Sequence, residues 1–116
     1  MNKYLIDHQS LIIDAIKKIK SNKSRVVFIN INKKIIGSFG EGDILNCLIK
    51  GTSIYAPIKS FMNKNFIFLK TKNYNDAHKI FKKELITLIP ILNNKMILKD
   101  FIHIKEILNC TKKTKS

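Results

Sequence analysis

The residues best suited to chemistry lie where a predicted strand runs into a predicted helix, in the stretch GSFGEGDILNCLIKG at residues 37–51. Three glycines fall within its first six residues, and Asp43 follows at the predicted helix start. Backbone N–H groups at such a start can cradle phosphate, whereas an acid there also stabilises a helix by about 0.3–1 kcal/mol. The stretch is therefore a phosphate-binding loop, a helix start without a ligand, or one copy of an internal repeat.

Other chemistry finds little support in the sequence. The three histidines, His8, His78 and His103, show no metal-binding spacing, and neither Cys47 nor Cys110 belongs to a zinc-type pair. There is no G-x-S-x-G motif, and no cysteine has a recognisable base nearby. With only eight acidic residues, paired-carboxylate catalysis is hard to build. We predict that the chain is not an enzyme by itself and holds no metal.

Composition indicates a small globular protein. The chain has 116 residues, of which 45% are apolar, enough for one buried core. No apolar run approaches the ~18 residues of a membrane span, and the N-terminus lacks the apolar segment of a signal peptide. We therefore expect a cytoplasmic protein without a membrane segment, and we expect Cys47 and Cys110 to be buried free thiols.

The net charge of +14 raises the question of nucleic-acid binding. Of the 22 basic residues, however, only Arg25 is an arginine, and base readout and bidentate phosphate contacts favour arginine. The lysines are spread along the chain rather than clustered, and the abundance of Ile, Lys and Asn is what an AT-rich genome produces. Nucleic acid is thus not the expected partner, although the positive field favours small anionic ligands.

Hydrophobic periodicity and turn residues predict the same five elements twice. The first half has a short strand, a helix at 10–22 capped by Ser10, a hairpin of strands 25–30 and 34–39, and a helix at 42–50. After a connector the elements recur as a strand at 66–69, a helix at 73–84 capped by Asn73, strands at 87–92 and 96–98, and a helix at 103–110.

An internal repeat accounts for this recurrence. Asp14 matches Asp76 at an offset of 62 residues, and Asp43 falls near Glu106 at an offset of 63, after one residue added in the second hairpin. Neither half has enough sheet to close its own core. The sequence therefore predicts an α/β fold made of two similar halves.

This pattern resembles the tandem CBS-domain pair, or Bateman module, over residues 3–109. In that family each hairpin ends with glycine, two apolar residues, a hydroxyl residue, two variable residues and an aspartate that opens a helix. Residues 37–43 form the first copy of this motif and residues 100–106 a degenerate second copy; Pro90 matches the family's strand proline, and FMNKN at 61–65 resembles its linker. The resemblance implies two β-α-β-β-α repeats packed around a pseudo-twofold axis, with boundaries at 1–58 and 59–110 and a disordered basic tail at 111–116.

The resemblance also implies a ligand and its site. CBS pairs bind adenosine or guanosine nucleotides in clefts between the repeats, which makes Asp43 the ribose-binding acid of the first cleft and Glu106 its counterpart. The implied nucleotide-binding set is Arg25, Phe28, Gly40, Gly42, Asp43, Thr87, Ile89, His103 and Glu106.

The sequence departs from the family pattern at several of these positions. Gly40 replaces the expected hydroxyl residue, and the neighbouring Glu41 would repel phosphate. In the second copy His103 fills the hydroxyl position, where it would donate to phosphate when protonated, and Asp100 replaces the glycine and is expected in a turn. One working cleft, or none, is therefore an alternative to two.

The expected function is a nucleotide-sensing regulatory module, dimeric as in the family, with AMP, ADP, ATP or a guanosine nucleotide as ligand. The segments GEGDILNCLIKG and PIKSFMNKN are similar to the CBS segment that precedes the catalytic domain in some bacterial sugar-phosphate nucleotidyltransferases. Such an enzyme, attached or separate, is the expected partner. The alternatives are a ligand-free oligomerisation module with degenerate clefts and, third, a basic nucleic-acid binder.

Overall fold

The computed structural model describes residues 2–108. The chain divides into two compact units, Met1–Phe66 and Ile67–Ser116, each described here by itself. The repeat boundaries at 58 and 59 stay a prediction. The predicted free thiol of Cys110 and the predicted tail 111–116 lie outside the described residues, and within 2–108 no helix is long and apolar enough to cross a membrane.

The first unit follows the predicted order of strand, helix, hairpin and helix. The main elements are β1 Leu5–Asp7, α1 Ile12–Asn22, β2 Val26–Ile31, β3 Lys34–Gly40 and α2 Glu41–Ile49. Short 3-10 helices occur at Asn2–Tyr4 and Ile58–Ser60. The sheet has the order β1-β2-β3, with β1 parallel to β2 and β2 antiparallel to β3.

The core of this unit lies between α1 and the sheet. Ile12, Ala15 and Ile19 share one face of α1 and are buried, and they cluster with Val27, Ile29, Phe39 and Ile58. The predicted Ser10 cap is wrong: α1 begins after Leu11, whose N–H donates to the Asp14 carboxylate at 2.8 Å. Asp14, in the first turn, thus provides the polar partner expected of Ser10.

The linker FMNKN covers the free edge of β3. Ser38 and Asn63 exchange two backbone hydrogen bonds, of 2.9 and 2.7 Å. Beside them Gly37 lies against Met62 so closely that a Cβ atom on Gly37 would stand 2.7 Å from Met62 Cγ. A Cβ atom at position 37 would therefore force the Met62 side chain to shift, whereas glycine lets Met62 lie directly against β3.

The second unit contains one helix, a hairpin and a further helix. Asn73 caps its first helix as predicted, since its side chain accepts from the N–H groups of Asn75 and Asp76. The core is formed by Ala77, Ile89, Ile91, Ile102 and Ile107. The elements are α3 Tyr74–Lys83, the antiparallel strands β4 Leu88–Leu92 and β5 Leu98–His103, and α4 at residues 104–108.

The strand predicted at 66–69 is wrong, except for an isolated parallel bridge between Leu69 and Ile91. Leu69 N–H donates to the carbonyl of Pro90, and Leu92 N–H donates to the carbonyl of Leu69. Extending this ladder toward Ile67 would require an N–H group at position 90, which proline lacks. Pro90 therefore limits the pairing to one bridge.

The internal repeat is visible in the backbone. Each hairpin has an irregularity at the same place, between Ile29 and Asn30 in the first and between Ile91 and Leu92 in the second, again 62 residues apart. The first hairpin turns through Asn32 and Lys33, both at positive φ, as a two-residue turn requires. The two hairpins therefore share the position of this irregularity, but their connections differ: two residues join β2 to β3, and five join β4 to β5.

Candidate functional site

The head of α2 holds the acid that the sequence singled out. Gly40 N–H donates to Asp43 Oδ2 at 2.8 Å, so the carboxylate reaches back over the first helical turn. Gly40 itself is extended, at φ −127° and ψ −173°, and gives the helix no side-chain cap. Asp43 is half-buried, and no described residue donates a hydrogen bond to its second oxygen, Oδ1.

The first turn of α2 also has unpaired donors. Glu41 N–H donates to the Arg25 carbonyl at 3.2 Å, but among the described residues no acceptor faces the N–H of Gly42 or of Asp43. Gly42 is exposed, and the space where its Cβ would lie is open. One turn therefore offers an acceptor for a hydroxyl group and donors for an anion, the combination that a sugar phosphate requires.

The Arg25 carbonyl restricts the space for a side chain at position 40. A Cβ atom on Gly40 would lie 3.2 Å from the Arg25 carbonyl oxygen, and Arg25 holds that carbonyl in place with φ at +68°. A threonine or serine at position 40 would crowd this oxygen. The Arg25 side chain itself is 73% exposed, and its Nε lies 3.8 Å from Glu41 Oε1, a weak screened ion pair.

The Arg25 side chain lines an open cavity of about 400 Å³. Asp43 is not among the lining residues, and no described contact joins the Arg25 side chain to the Asp43 carboxylate. Arg25 is therefore connected to the head of α2 by its backbone carbonyl, which accepts from Glu41 N–H, and not by a contact between its side chain and Asp43. The cavity is lined by Ile16, Ile19, Lys20, Lys23, Arg25, Glu41 and Ile44.

Three further predicted site residues lie on the strands or directly before one of them: Phe28 and Ile89 are buried, and Thr87 is half-buried. Phe28 pairs with Ser38 in the sheet and meets the ring of Phe66 edge-on, with centroids 6.0 Å apart. Ile89 is fully buried in the core of the second unit. Thr87 is half-buried, and its carbonyl accepts from Ile104 N–H at 2.8 Å, just as the Arg25 carbonyl accepts from Glu41 N–H.

The head of α4 repeats the geometry of α2 with different side chains. His103 N–H donates to Glu106 Oε2 at 2.7 Å, as Gly40 N–H does to Asp43. The His103 ring caps the helix, because its Nδ1 accepts from Lys105 N–H at 3.1 Å. An Nδ1 that accepts this bond carries no proton, so in this arrangement only Nε2 can donate. Tyr74 Oη donates to Glu106 Oε1 at 3.2 Å.

Asp100 lies in β5 and not in a turn as predicted. Its Oδ2 accepts from Lys72 Nζ at 2.9 Å, and its Oδ1 accepts from Phe101 N–H at 2.8 Å. The hydrogen bond from Lys72 lowers the pKa of Asp100, and the same bond raises the pKa of Lys72. Lys72 and Tyr74 were missed in the sequence because their partners lie 28 and 32 residues away.

The remaining candidates for chemistry stay isolated. Within residues 2–108 no group of three His, Cys, Asp or Glu side chains is placed to hold a metal ion. His8 is half-buried beside Asp7, and His78 is exposed on α3. Cys47 is a buried free thiol, as predicted.

No protein-family model matches the chain, and no curated protein sequence matches it. Several solved structures, however, are similar to the chain. The chain is similar to the CBS-domain protein PAE2072 of Pyrobaculum aerophilum, complexed with AMP, at a TM-score of 0.74 and 15% identity over 94% of this chain and 90% of the other. It is similar to CBSX2 in complex with AMP, at 0.76 and 14% identity over 97% and 90%. A CBS-domain protein from Burkholderia ambifaria gives 0.78 and 14% identity over 97% and 85%.

At these identities the likeness establishes the fold. The prediction of an α/β chain with the fold of a CBS-domain pair is thereby confirmed. The nine predicted contact residues stay a prediction. The hydrogen bonds within each unit, however, distinguish the two helix starts. The head of α2 has open hydrogen-bonding groups, whereas those of Glu106 are already engaged.

Proposed function

We propose that this chain, which has the fold of a CBS-domain pair, is a regulatory module that binds an adenosine or guanosine nucleotide at the head of α2. The observation that carries the proposal is the set of open groups there: Asp43 Oδ1 as acceptor and the N–H groups of Gly42 and Asp43 as donors. In a nucleotide these match the ribose hydroxyls and the phosphate. The net charge of +14 adds attraction for the anion.

AMP is the first ligand to test. The structures of PAE2072 and CBSX2 both contain AMP, and a monophosphate places the least negative charge near Glu41. The exposed Arg25–Glu41 pair offsets part of the repulsion from that carboxylate. ADP and ATP present the same ribose with further phosphate, and the guanosine nucleotides present the same ribose with another base, so they are the next candidates.

Regulation requires the nucleotide to bind one state of the module better than another, because only a difference in affinity shifts an equilibrium. We propose that this shift controls an enzyme, attached to the chain or bound by it, with a sugar-phosphate nucleotidyltransferase as the specific candidate. The resemblance of residues 40–51 and 57–65 to the segment before such catalytic domains supports that choice. The module itself is proposed to be non-catalytic and cytoplasmic, where nucleotides are available and the Cys47 thiol stays reduced.

We further propose that the chain is a homodimer. Leu45, Leu48 and Ile49 share one face of α2, at spacings of three and four residues, and are 58%, 60% and 83% exposed. A contiguous exposed apolar patch of this kind is typical of an interaction surface. A second copy would cover it with an identical patch.

The second candidate function is a ligand-free oligomerisation module. Two observations favour it: position 40 has no hydroxyl group for phosphate, and both oxygens of Glu106 are occupied from within the chain. On this reading Asp43 only caps α2. The apolar face of α2 would then be the functional surface.

Thermal unfolding against a nucleotide panel separates the two. The purified chain is melted with AMP, ADP, ATP, GMP, GDP, GTP and CMP, each titrated to millimolar concentration. A ligand at 100 times its Kd adds about 2.7 kcal/mol to the free energy of unfolding and raises the midpoint by several degrees. We expect a shift with a purine nucleotide and none with CMP. A midpoint that no nucleotide moves, in a folded oligomer, supports the structural module instead.

A further inference from the structure

Each oxygen of the Glu106 carboxylate accepts one hydrogen bond from within the second unit. Its Oε2 accepts from His103 N–H at 2.7 Å and its Oε1 from the Tyr74 hydroxyl at 3.2 Å. Tyr74 belongs to the first turn of α3, so this second bond joins the start of α3 to the start of α4. A phenol O–H is the same kind of donor as a ribose hydroxyl, and it occupies the oxygen that would receive one.

The corresponding acid of the first unit has no such partner. Asp43 uses Oδ2 for Gly40 N–H, and its Oδ1 accepts from no described residue. At the repeat offset of 62 residues, Ile12 is the position in the first half that corresponds to Tyr74 (74 − 62 = 12). Ile12 is 1% exposed, and its side chain has no hydrogen-bond donor. The two acids therefore differ because one repeat has an isoleucine and the other a tyrosine at the start of the preceding helix.

Two charged side chains, Lys72 and Asp100, lie beside Tyr74. The ammonium of Lys72 lies 5.9 Å from the centroid of the Tyr74 ring, within reach of a cation–π contact. Lys72 Nζ is itself held by Asp100 at 2.9 Å. The Asp100 carboxylate, anchored by Phe101 N–H, thus positions Lys72, which in turn contacts the ring of the tyrosine that binds Glu106.

We propose that Tyr74 locks Glu106 into a structural role, so that the chain binds one nucleotide, at Asp43, and none through Glu106. The inference rests on the proposed nucleotide-binding function. On this proposal, the hydrogen bond between Tyr74 and Glu106 couples α3 to α4. Tyr74 is then the residue that sets the number of ligands per chain.

Calorimetric titration of the full chain with AMP tests the ligand count. We expect one AMP per chain in the wild type, and in Glu106→Ala one AMP with a Kd within twofold of the wild-type value. Tyr74→Phe, which keeps the ring and removes only the hydroxyl donor, frees Glu106 Oε1 and should bind a second AMP. A Tyr74→Phe chain that still binds only one AMP shows that Tyr74 does not set the ligand number. Two AMP per chain in the wild type, or a binding event lost in Glu106→Ala, overturns the proposal.

A double-mutant cycle tests the lock without any ligand. Tyr74→Phe and Glu106→Ala should each lower the thermal midpoint, and the double variant should lose less than the sum of the two. If AMP does not bind at all, the proposed function fails, while a non-additive cycle still shows that the lock exists. An additive cycle overturns the lock whether or not AMP binds.

Discussion

The carboxylate of Asp43 accepts a hydrogen bond of 2.8 Å from the N–H of Gly40, three residues before it, at the head of α2. The same relation joins Glu106 to His103 at 2.7 Å, 63 residues further along the chain (106 − 43). Both acids therefore cap a helix, whatever else they do. Experiments on ligand binding must accordingly separate the cap from the ligand contact.

Substitutions of Asp43 achieve that separation. Asp43→Ala removes the acceptor and should lower the free energy of unfolding by about 1 kcal/mol, the net value of such a hydrogen bond. Asp43→Asn keeps a side-chain oxygen for Gly40 N–H and should lose less than half as much. Urea unfolding at pH 7 measures both. Equal losses in the two variants would show that the charge on Asp43, and not its hydrogen bond to Gly40, stabilises α2.

The contact between Gly37 and Met62 should be sensitive to a single methyl group. Because a Cβ atom at position 37 would stand 2.7 Å from Met62 Cγ, Gly37→Ala should cost about 1–3 kcal/mol, as overpacking does. Gly42→Ala is the matched control. Its Cβ meets nothing within 4 Å, and alanine favours a helix over glycine by about 0.5–1 kcal/mol, so this variant should be stabilised.

Denaturant titrations of the two alanine variants provide the comparison, and Met62→Ala added to Gly37→Ala should recover part of the loss. A Gly37→Ala variant as stable as Gly42→Ala would show that the linker does not pack on β3 as described.

The ion pair of Lys72 and Asp100 predicts a specific pH dependence. The hydrogen bond from Lys72 lowers the pKa of Asp100 below its ordinary 3.8, so the resulting stability is present above about pH 4 and is lost as pH falls through the folded-state pKa. The bond to Asp100 raises the pKa of Lys72 above 10.5, so stability is present below pH 10.5 and is lost as pH rises through the folded-state value.

Both side chains are more than a third exposed, at 39% and 44%, so solvent screening limits the effect of Asp100→Asn to less than about 1 kcal/mol at pH 7. The free energies of unfolding of wild type and Asp100→Asn should differ most between pH 5 and 9 and converge below pH 3. A difference that does not vary with pH would mean that the two charges do not interact.

The exposed face of α2 predicts the oligomeric state. Leu48→Asp places a charge within the apolar patch of Leu45, Leu48 and Ile49 and should convert the proposed dimer into a monomer, since burying an unpaired carboxylate is costly. Leu85→Asp is the control, because Leu85 is fully exposed and lies outside α2. Sedimentation velocity at several concentrations distinguishes the two variants. A wild-type chain that stays monomeric at 100 μM contradicts the dimer.

The sequence was sufficient to predict features that depend on near neighbours or on comparing one half of the chain with the other. The Asn73 cap of α3 follows from the residue type at a helix start, and the repeat follows from matching residues at an offset of 62. Ser10 is not the cap because α1 begins after Leu11, whose N–H donates to the Asp14 carboxylate. The strand at 66–69 failed because its length depends on the missing N–H group of Pro90, a distant partner.

The candidate site was predictable only in part for the same reason. The motif around Gly40 and Asp43 marked the head of α2, and the repeat offset marked Glu106. That Tyr74 occupies Glu106 required a contact across 32 residues, which no local pattern indicates. The close approach of the Arg25 carbonyl to Gly40 likewise depends on the positive φ of Arg25, a backbone conformation that the residue type does not predict.

Calorimetric titration of AMP into the wild type, Asp43→Asn and Asp76→Asn tests the central claim most directly. Asp76 is the matched control because it lies in the first turn of α3 and is exposed. The account predicts binding to the wild type and to Asp76→Asn with the same Kd, and at least tenfold weaker binding to Asp43→Asn. Equal binding by all three chains, or binding by none, would contradict a nucleotide site at the head of α2.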